Sequence, residues 1–294
     1  MRNRSANAHT DRVTTASPTV RRRRLAATLR ELRDHAGLTA DQAAKEVGIS
    51  KSALSRLENG LVSAMPPVVR ALLVLYGVDE SDIEPLLQVA RDARKRGWWL
   101  SYSDVLPDWF DLYVGLEAEA SDIKTYQPQL VPGLLQTESY ATAVIRAEHP
   151  DAPEEEIDRR VELRMRRQKI ENRPRLWVVL DESVLKRPVG GSEVMRAQLT
   201  RLVEESRIPG VNIQVLPYSV GEHGSMGSSF SLLAFPDAAD QGIAYLENRA
   251  GSVYVEGMQV REYTALFAHL TAAASGQRES AAMIKKAALD VERL

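Results

Sequence analysis

The sequence predicts two domains, an all-α domain of five helices followed by a larger domain of mixed α/β type. Three observations carry this. The chain has 294 residues, and domains of about 100–150 residues are the commonest size, so two cores are expected. Up to about residue 96 the apolar residues recur at helical spacing. Beyond Gly97 the periods mix, and short β-type runs stand between helical ones.

The first domain reads in order. Residues 1–18 (MRNRSANAHTDRVTTASP) are polar and aperiodic, and read as a disordered basic tail. A helix starts near Thr19, carries Leu25, Leu29 and Leu32 on one stripe, and ends at Gly37. Thr39 caps a short helix over 40–47 and Gly48 breaks it. Ser50 caps the next over 51–58, and Asn59-Gly60 stops it. Pro66-Pro67 open a fourth helix, with Val69, Leu72, Leu73 and Tyr76 as its apolar face and Gly77 at its end. Ser81 begins a fifth, with Glu84 at capping-box spacing. Ile83, Leu86, Leu87 and Ala90 line it, and it runs into Arg91–Arg96.

The boundary is placed at Gly97, giving domains over 19–97 and 98–294. Three of the four tryptophans (Trp98, Trp99 and Trp109) lie in 98–113 with Tyr102, Phe110 and Tyr113. A helix follows around Ile157, Val161 and Met165, with Pro153 and three glutamates in its first turn. LWVVL (176–180) is a buried-strand run, and Val194, Met195, Leu199, Leu202 and Val203 mark a helix. VNIQVL (211–216), the run around Phe230–Phe235 and IAYLE (243–247) read as strands. Two helices are expected around 258–274 and 278–292.

Composition narrows the function. Hydrophobic residues make up 44% and charged residues 27%, which excludes wholesale disorder. With no cysteine there is no disulfide framework, Cys-ligated zinc, iron–sulfur cluster or thiol nucleophile, and a reducing cytoplasm is expected. The five histidines show no i, i+4 pair, so neither a metal site nor a cofactor is expected. No run approaches the roughly 18 apolar residues of a membrane span. No apolar stretch follows the N-terminal arginines as a secretory signal would require.

The net charge of −2 conceals an asymmetry. Residues 1–60 hold 12 Lys/Arg against 6 Asp/Glu, and the rest hold 26 against 34. A basic head on an acidic body points to an anionic partner at one end, or else to a solvated tail that aids solubility. The run Arg21–Arg24 lies in that head.

The segment LTADQAAKEVGISKSALSRLENG (38–60) is the most informative. Ala44 is small where a second helix must cross closely, and Gly48 takes the turn four residues on. Val47, Ile49, Leu54 and Leu57 are the apolar knobs. With Leu54 and Leu57 inward, the second helix presents Lys51, Ser52, Ser55 and Arg56 outward. Arginine pairs bidentately with guanine O6 and N7, lysine reaches the same edge, and serine bonds base or phosphate. Arg56 therefore reads as a base reader or a phosphate clamp. Thr39, Ser50 and Asn59 stand at helix ends, where phosphates bind, and Arg22 and Arg23 are candidates for further phosphate contacts.

These residues resemble the phage-repressor-like, or XRE/Cro-type, helix-turn-helix family, closely over 38–60 and as a five-helix domain over about 20–96. One departure is Ala40, where the family often has a phosphate-touching Gln. The resemblance implies double-stranded DNA as partner, a homodimer, and a near-palindromic operator with half-sites about one helical turn apart.

In the second half, YQPQLVPGLLQTESYA (126–141), VLPYSVGEHG (215–224) and FSLLAFPD (230–237) resemble the C-terminal domain of an actinobacterial family of antitoxin-like XRE regulators. That resemblance covers about 105–290 and implies a small acidic protein partner. Trp98, Trp99, Trp109, Tyr126, Gln129 and Gln136 line a partner or ligand groove in one reading, and in the other the aromatics are packing residues. Arg159, Arg160, Arg164, Arg166 and Arg167 suggest an anion site. However, 154–171 hold six acids against six bases, so a solvated, salt-bridged helix is the expectation.

His223 lies in the loop GEHGSMGSS, with Ser225, Ser228, Asp181 and Glu182 as candidate catalytic partners by composition alone. The order of elements faintly resembles the phospholipase D-like fold. That family's motif has Lys two residues after the His, where this chain has Ser225, so no catalytic residue is assigned and no enzyme is expected. The expectation is a cytoplasmic DNA-binding transcriptional regulator, nucleoid-associated when bound. The alternative is an antitoxin-like interaction module whose main role is to bind a small acidic partner.

Overall fold

The computed structural model describes residues 18–60, 62–94, 97–170, 173–236, 240 and 242–291. It divides into two compact units, 1–100 and 101–294, so the division falls three residues past the change in composition. The tail expected over 1–18 lies outside the described residues apart from Pro18.

The first unit is helical. Helix α1 spans Pro18–His35, α2 Ala40–Val47, α3 Lys51–Glu58, α4 Pro66–Leu75 and α5 Glu80–Asp92. Local chemistry sets the ends of α2. The Thr39 hydroxyl accepts from the Gln42 N–H and the Gln42 side chain accepts from the Thr39 N–H, a reciprocal cap. Gly48 ends the helix at φ 75°, ψ 30°, a left-handed conformation that costs other residues roughly 1–2 kcal/mol. Ser50 caps α3 by accepting from the Ala53 N–H at 3.1 Å. The core gathers Leu25 and Leu29 of α1, Ala43 and Ala44 of α2, Leu54 and Leu57 of α3, and Leu72 and Leu73 of α4. Truncating a leucine as buried as Leu54 costs about 2–5 kcal/mol.

One expected boundary is corrected. Ser81 does not cap α5. The helix starts at Glu80 with Asp79 at the cap position, and Asp79 makes no side-chain cap bond.

The second unit is a six-stranded mixed sheet with helices. Its elements are α6 Asp108–Glu117, β1 Asp122–Gln127, α7 Glu138–Glu148, α8 Glu154–Arg167, β2 Arg175–Asp181, the short α9 Glu182–Lys186, α10 Ser192–Glu205, β3 Val211–Leu216, β4 Phe230–Ala234, β5 Ile243–Asn248, β6 Gly251–Val255, α11 Met258–Ala273 and α12 Gln277–Asp290. The strand order is β3-β2-β1-β4-β5-β6. β1, β2 and β3 run parallel, with Ile123 opposite Leu176 and Leu176 opposite Val211. β4 returns antiparallel on β1, and β5 and β6 continue as hairpins. Tyr126, Val179, Leu216, Phe230 and Ala244 form a core on one sheet face with Val260, Phe267 and Leu270 of α11.

β1, α6, α7, α9 and β6 have no counterpart among the expected elements. β1 sits mid-sheet yet carries no apolar run, because Thr125 fills a buried position with hydrogen bonds. Its hydroxyl donates to the Phe230 carbonyl at 3.0 Å, and the Ser231 hydroxyl donates to it at 2.9 Å. The aromatic stretch packs within its own unit from Tyr102 onward. Phe110 stacks on Tyr113 at 5.2 Å, Tyr113 meets Tyr245 at 4.2 Å, and Tyr245 meets Tyr254 at 5.2 Å.

Candidate nucleic-acid interface

Helix α3 is eight residues long, and its inward side is fixed by Leu54 and Leu57, 0% and 6% exposed. Lys51, Ser52, Ser55 and Arg56 are all exposed on the other side. Arg56 makes no hydrogen bond or ion pair among the described residues, so its fork of donors is free. Ser55 is held by Asn59, whose amide donates to the Ser55 carbonyl at 2.8 Å and to its hydroxyl at 3.3 Å. The Ser50 and Ser52 hydroxyls lie 3.1 Å apart.

The expected phosphate contacts are partly engaged in local structure. Thr39, Ser50 and Asn59 are exposed at helix ends, as expected. Their side chains, however, are committed to capping: Thr39 to Gln42, Ser50 to Ala53 and Asn59 to Ser55. At Thr39 and Ser50 the free backbone N–H groups of the helix starts remain for an anion. Asn59 instead ends α3, where carbonyls rather than N–H groups are free, and its own N–H bonds Ser55 and Leu57, so the expected phosphate role of Asn59 is not supported. Arg22 and Arg23 are half-buried, and neither is a free cation. Arg21 is buried and pairs with Asp92 of α5 at 3.7 Å, so the arginine run is not a uniformly solvated patch.

Two features of the site were not anticipated. Lys51 Nζ lies 3.7 Å from the Asp41 carboxylate, both exposed. Asp41 thus places a negative charge beside the lysine expected to meet DNA. Arg33 of α1 pairs with Glu58 at the end of α3 and also donates to the Leu38 carbonyl at 2.8 Å. One side chain thereby ties together α1, the turn before α2 and the end of α3. Tyr76 lies in the same neighbourhood, and burial and the Glu58 charge push its phenol up to about 12.

The six groove candidates do not converge. Trp98 and Trp99 meet edge to face at 5.9 Å in the first unit. In the second, Gln136 is buried, donating to the Val131 carbonyl at 2.7 Å and accepting from Arg164 at 2.9 Å. The Trp109 carbonyl accepts from the Tyr254 hydroxyl, and Gln129 is exposed. Of the six, Tyr126 lines a cleft in the second unit, which it shares with His223 and Asp181.

The arginines of α8 are mostly ion-paired, Arg159 with Asp104 at 3.0 Å and Arg160 with Glu156 at 2.7 Å. The expectation of a solvated helix fails at Arg167, which is buried and pairs through Nε and Nη2 with Glu117, both at 2.7 Å. Burial, and then the Arg167 charge, pull Arg164 down to about 10. Among the described residues, no group of acidic or histidine side chains is placed to hold a metal ion, and no helix is long and apolar enough to cross a membrane.

Comparison with known families gives two matches. Residues 24–86 match a helix-turn-helix domain, which covers α2 and α3 and their flanking helices. Residues 110–286 match a domain of unknown function, DUF5753, which covers the whole sheet. No curated protein matches the chain. No solved structure matches it either.

Proposed function

The chain belongs to the DUF5753 family and carries a helix-turn-helix domain ahead of that family's domain; from that premise we propose that it is a sequence-specific DNA-binding transcriptional regulator of the XRE type. The observation that supports this most directly is the inward packing of Leu54 and Leu57, which leaves Lys51, Ser52, Ser55 and Arg56 exposed on one side of α3. That side carries the donors that base edges in the major groove accept.

The protein acts as a homodimer on a near-palindromic operator, its half-sites about 34–36 Å apart. The second unit receives the regulatory input, from a small acidic protein partner or a ligand, as in the antitoxin-like actinobacterial regulators it resembles. It works in the cytoplasm and at the nucleoid. It is not an enzyme, and any phospholipase D-like ancestry of the second unit is without its chemistry. Ser225 stands where that motif has lysine, and its buried hydroxyl donates to the Ser228 carbonyl at 2.8 Å.

The test is selection of an operator from random duplexes, followed by binding measurements on Arg56→Ala. The variant should lose about 1–3 kcal/mol and relax specificity at one base pair. Unchanged affinity and specificity would show that this side of α3 does not read DNA.

A further inference from the structure

The parallel strands β1, β2 and β3 end on the same side of the sheet. In α/β sheets, ligands bind in the crevice beyond the carboxyl ends of such strands. The last residues turned toward the α11 face are Tyr126, Asp181 and Leu216, since Asp181 shares its side of β2 with Val179. With Tyr218, His223 and Met226 from the following loop they line a cleft of about 260 Å³. That lies just below the roughly 300–1,000 Å³ of drug-sized sites, so the cleft suits a small molecule.

The polar groups in the cleft are specific. The Ser225 N–H donates to His223 Nδ1 at 3.3 Å, which fixes the neutral ring as the Nε2–H tautomer. Nε2–H then donates to the Tyr126 oxygen at 3.2 Å. The phenol proton is left to be donated elsewhere. Asp181 Oδ1 accepts from the Ser183 N–H at 2.9 Å and caps α9. Its second oxygen has no partner among the described residues. Burial and the Asp181 charge push the Tyr126 phenol upward. Among the described residues, no lysine or arginine lines the cleft. Tyr218 and Met226 are 57% and 68% exposed, so apolar surface stands uncovered beside the carboxylate.

We infer that this cleft binds a small organic amine with an aromatic-sized apolar body. The ammonium sits on the free oxygen of Asp181, and the body lies against Tyr218 and Met226. A charge-assisted hydrogen bond and the faces of the tyrosine rings favour a cation there. The carboxylate repels an anion. This stands whether or not α3 reads DNA, and its test contains no DNA.

The experiment is calorimetric titration of the full chain with phenethylamine, 2-phenylethanol and phenylacetate, which differ in charge at nearly constant shape. Phenethylamine should bind one to one, about tenfold or more tighter than the alcohol, the worth of one charge-assisted contact. Phenylacetate should not bind. Asp181→Asn keeps the acceptor that caps α9 and should lose that tenfold advantage, with its melting temperature showing that it is folded. Equal binding of the three probes, no heat from phenethylamine at millimolar concentration, or undiminished amine binding by a folded Asp181→Asn would each overturn the assignment. The probe series on the unmodified chain decides the matter even if the variant fails to fold.

Discussion

Arg33 and Glu58, 25 residues apart in sequence, meet as a buried two-point pair, Nε to Oε1 at 2.8 Å and Nη2 to Oε2 at 3.1 Å. Removing one member strands the other's charge away from water, a loss of about 3–5 kcal/mol. Arg33→Ala should therefore destabilise the first unit by that amount in urea unfolding, whereas Arg33→Met combined with Glu58→Leu should recover most of it. A small loss for the single variant would mean that the pair is hydrated in solution.

Asp41 holds Lys51 at 3.7 Å in the free protein. An exposed pair of this kind adds little to stability, so its consequence falls on association with a polyanion. Asp41→Asn should leave the melting temperature unchanged and raise affinity for duplex DNA severalfold at low salt, with the gain shrinking as salt rises. Unchanged binding in a salt titration would rule out any part for Asp41 at the interface, and weaker binding would show that it positions Lys51 rather than opposing the phosphates.

The Tyr76 hydroxyl is buried with no hydrogen-bond partner among the described residues. An unsatisfied buried donor costs about 1–3 kcal/mol, while the ring itself packs with Leu72 and Leu73. Tyr76→Phe should stabilise the first unit by about 1 kcal/mol in denaturant titration. A destabilised variant would show that the hydroxyl is satisfied by bound water.

Gly48 has φ 75°, and a side chain there would meet nothing within 4 Å. The cost of Gly48→Ala is then one of backbone conformation alone, roughly 1–2 kcal/mol. Gly48→Asn should cost less, because asparagine tolerates the left-handed region. Thermal melts that rank the two the other way would point to a clash the turn does not show.

Much of the first unit was legible because its boundaries are written in local chemistry. Thr39, Gly48, Ser50 and Asn59-Gly60 delimit α2 and α3 at the residues expected. The start of α5 differs from the expectation because Ser81 and Glu84 stand at capping-box spacing one residue inside the helix, which already begins at Glu80. Arg33–Glu58 was not legible, since nothing in either residue's neighbourhood marks a partner so distant. The cleft was legible only in pieces. Tyr126, Asp181 and His223 each stand out by residue type, but the parallel pairing of β1 with β2 and the loop after β3 are what bring them together. β1 escaped notice because Lys124 and Thr125 break any apolar run, and the hydrogen bonds that let Thr125 be buried come from β4.

The middle of the sheet sets a timetable for synthesis. β1 joins β4 across 105 residues, as the Thr125–Phe230 bond measures. At about 5–20 residues per second the ribosome needs roughly 5–20 s to deliver that partner. Until then one edge of β1 stands unmatched and open to wrong pairing, while the helical first unit, built from local contacts, has long since emerged and folded. Nascent chains stalled before Phe230 should therefore be the ones that engage chaperones.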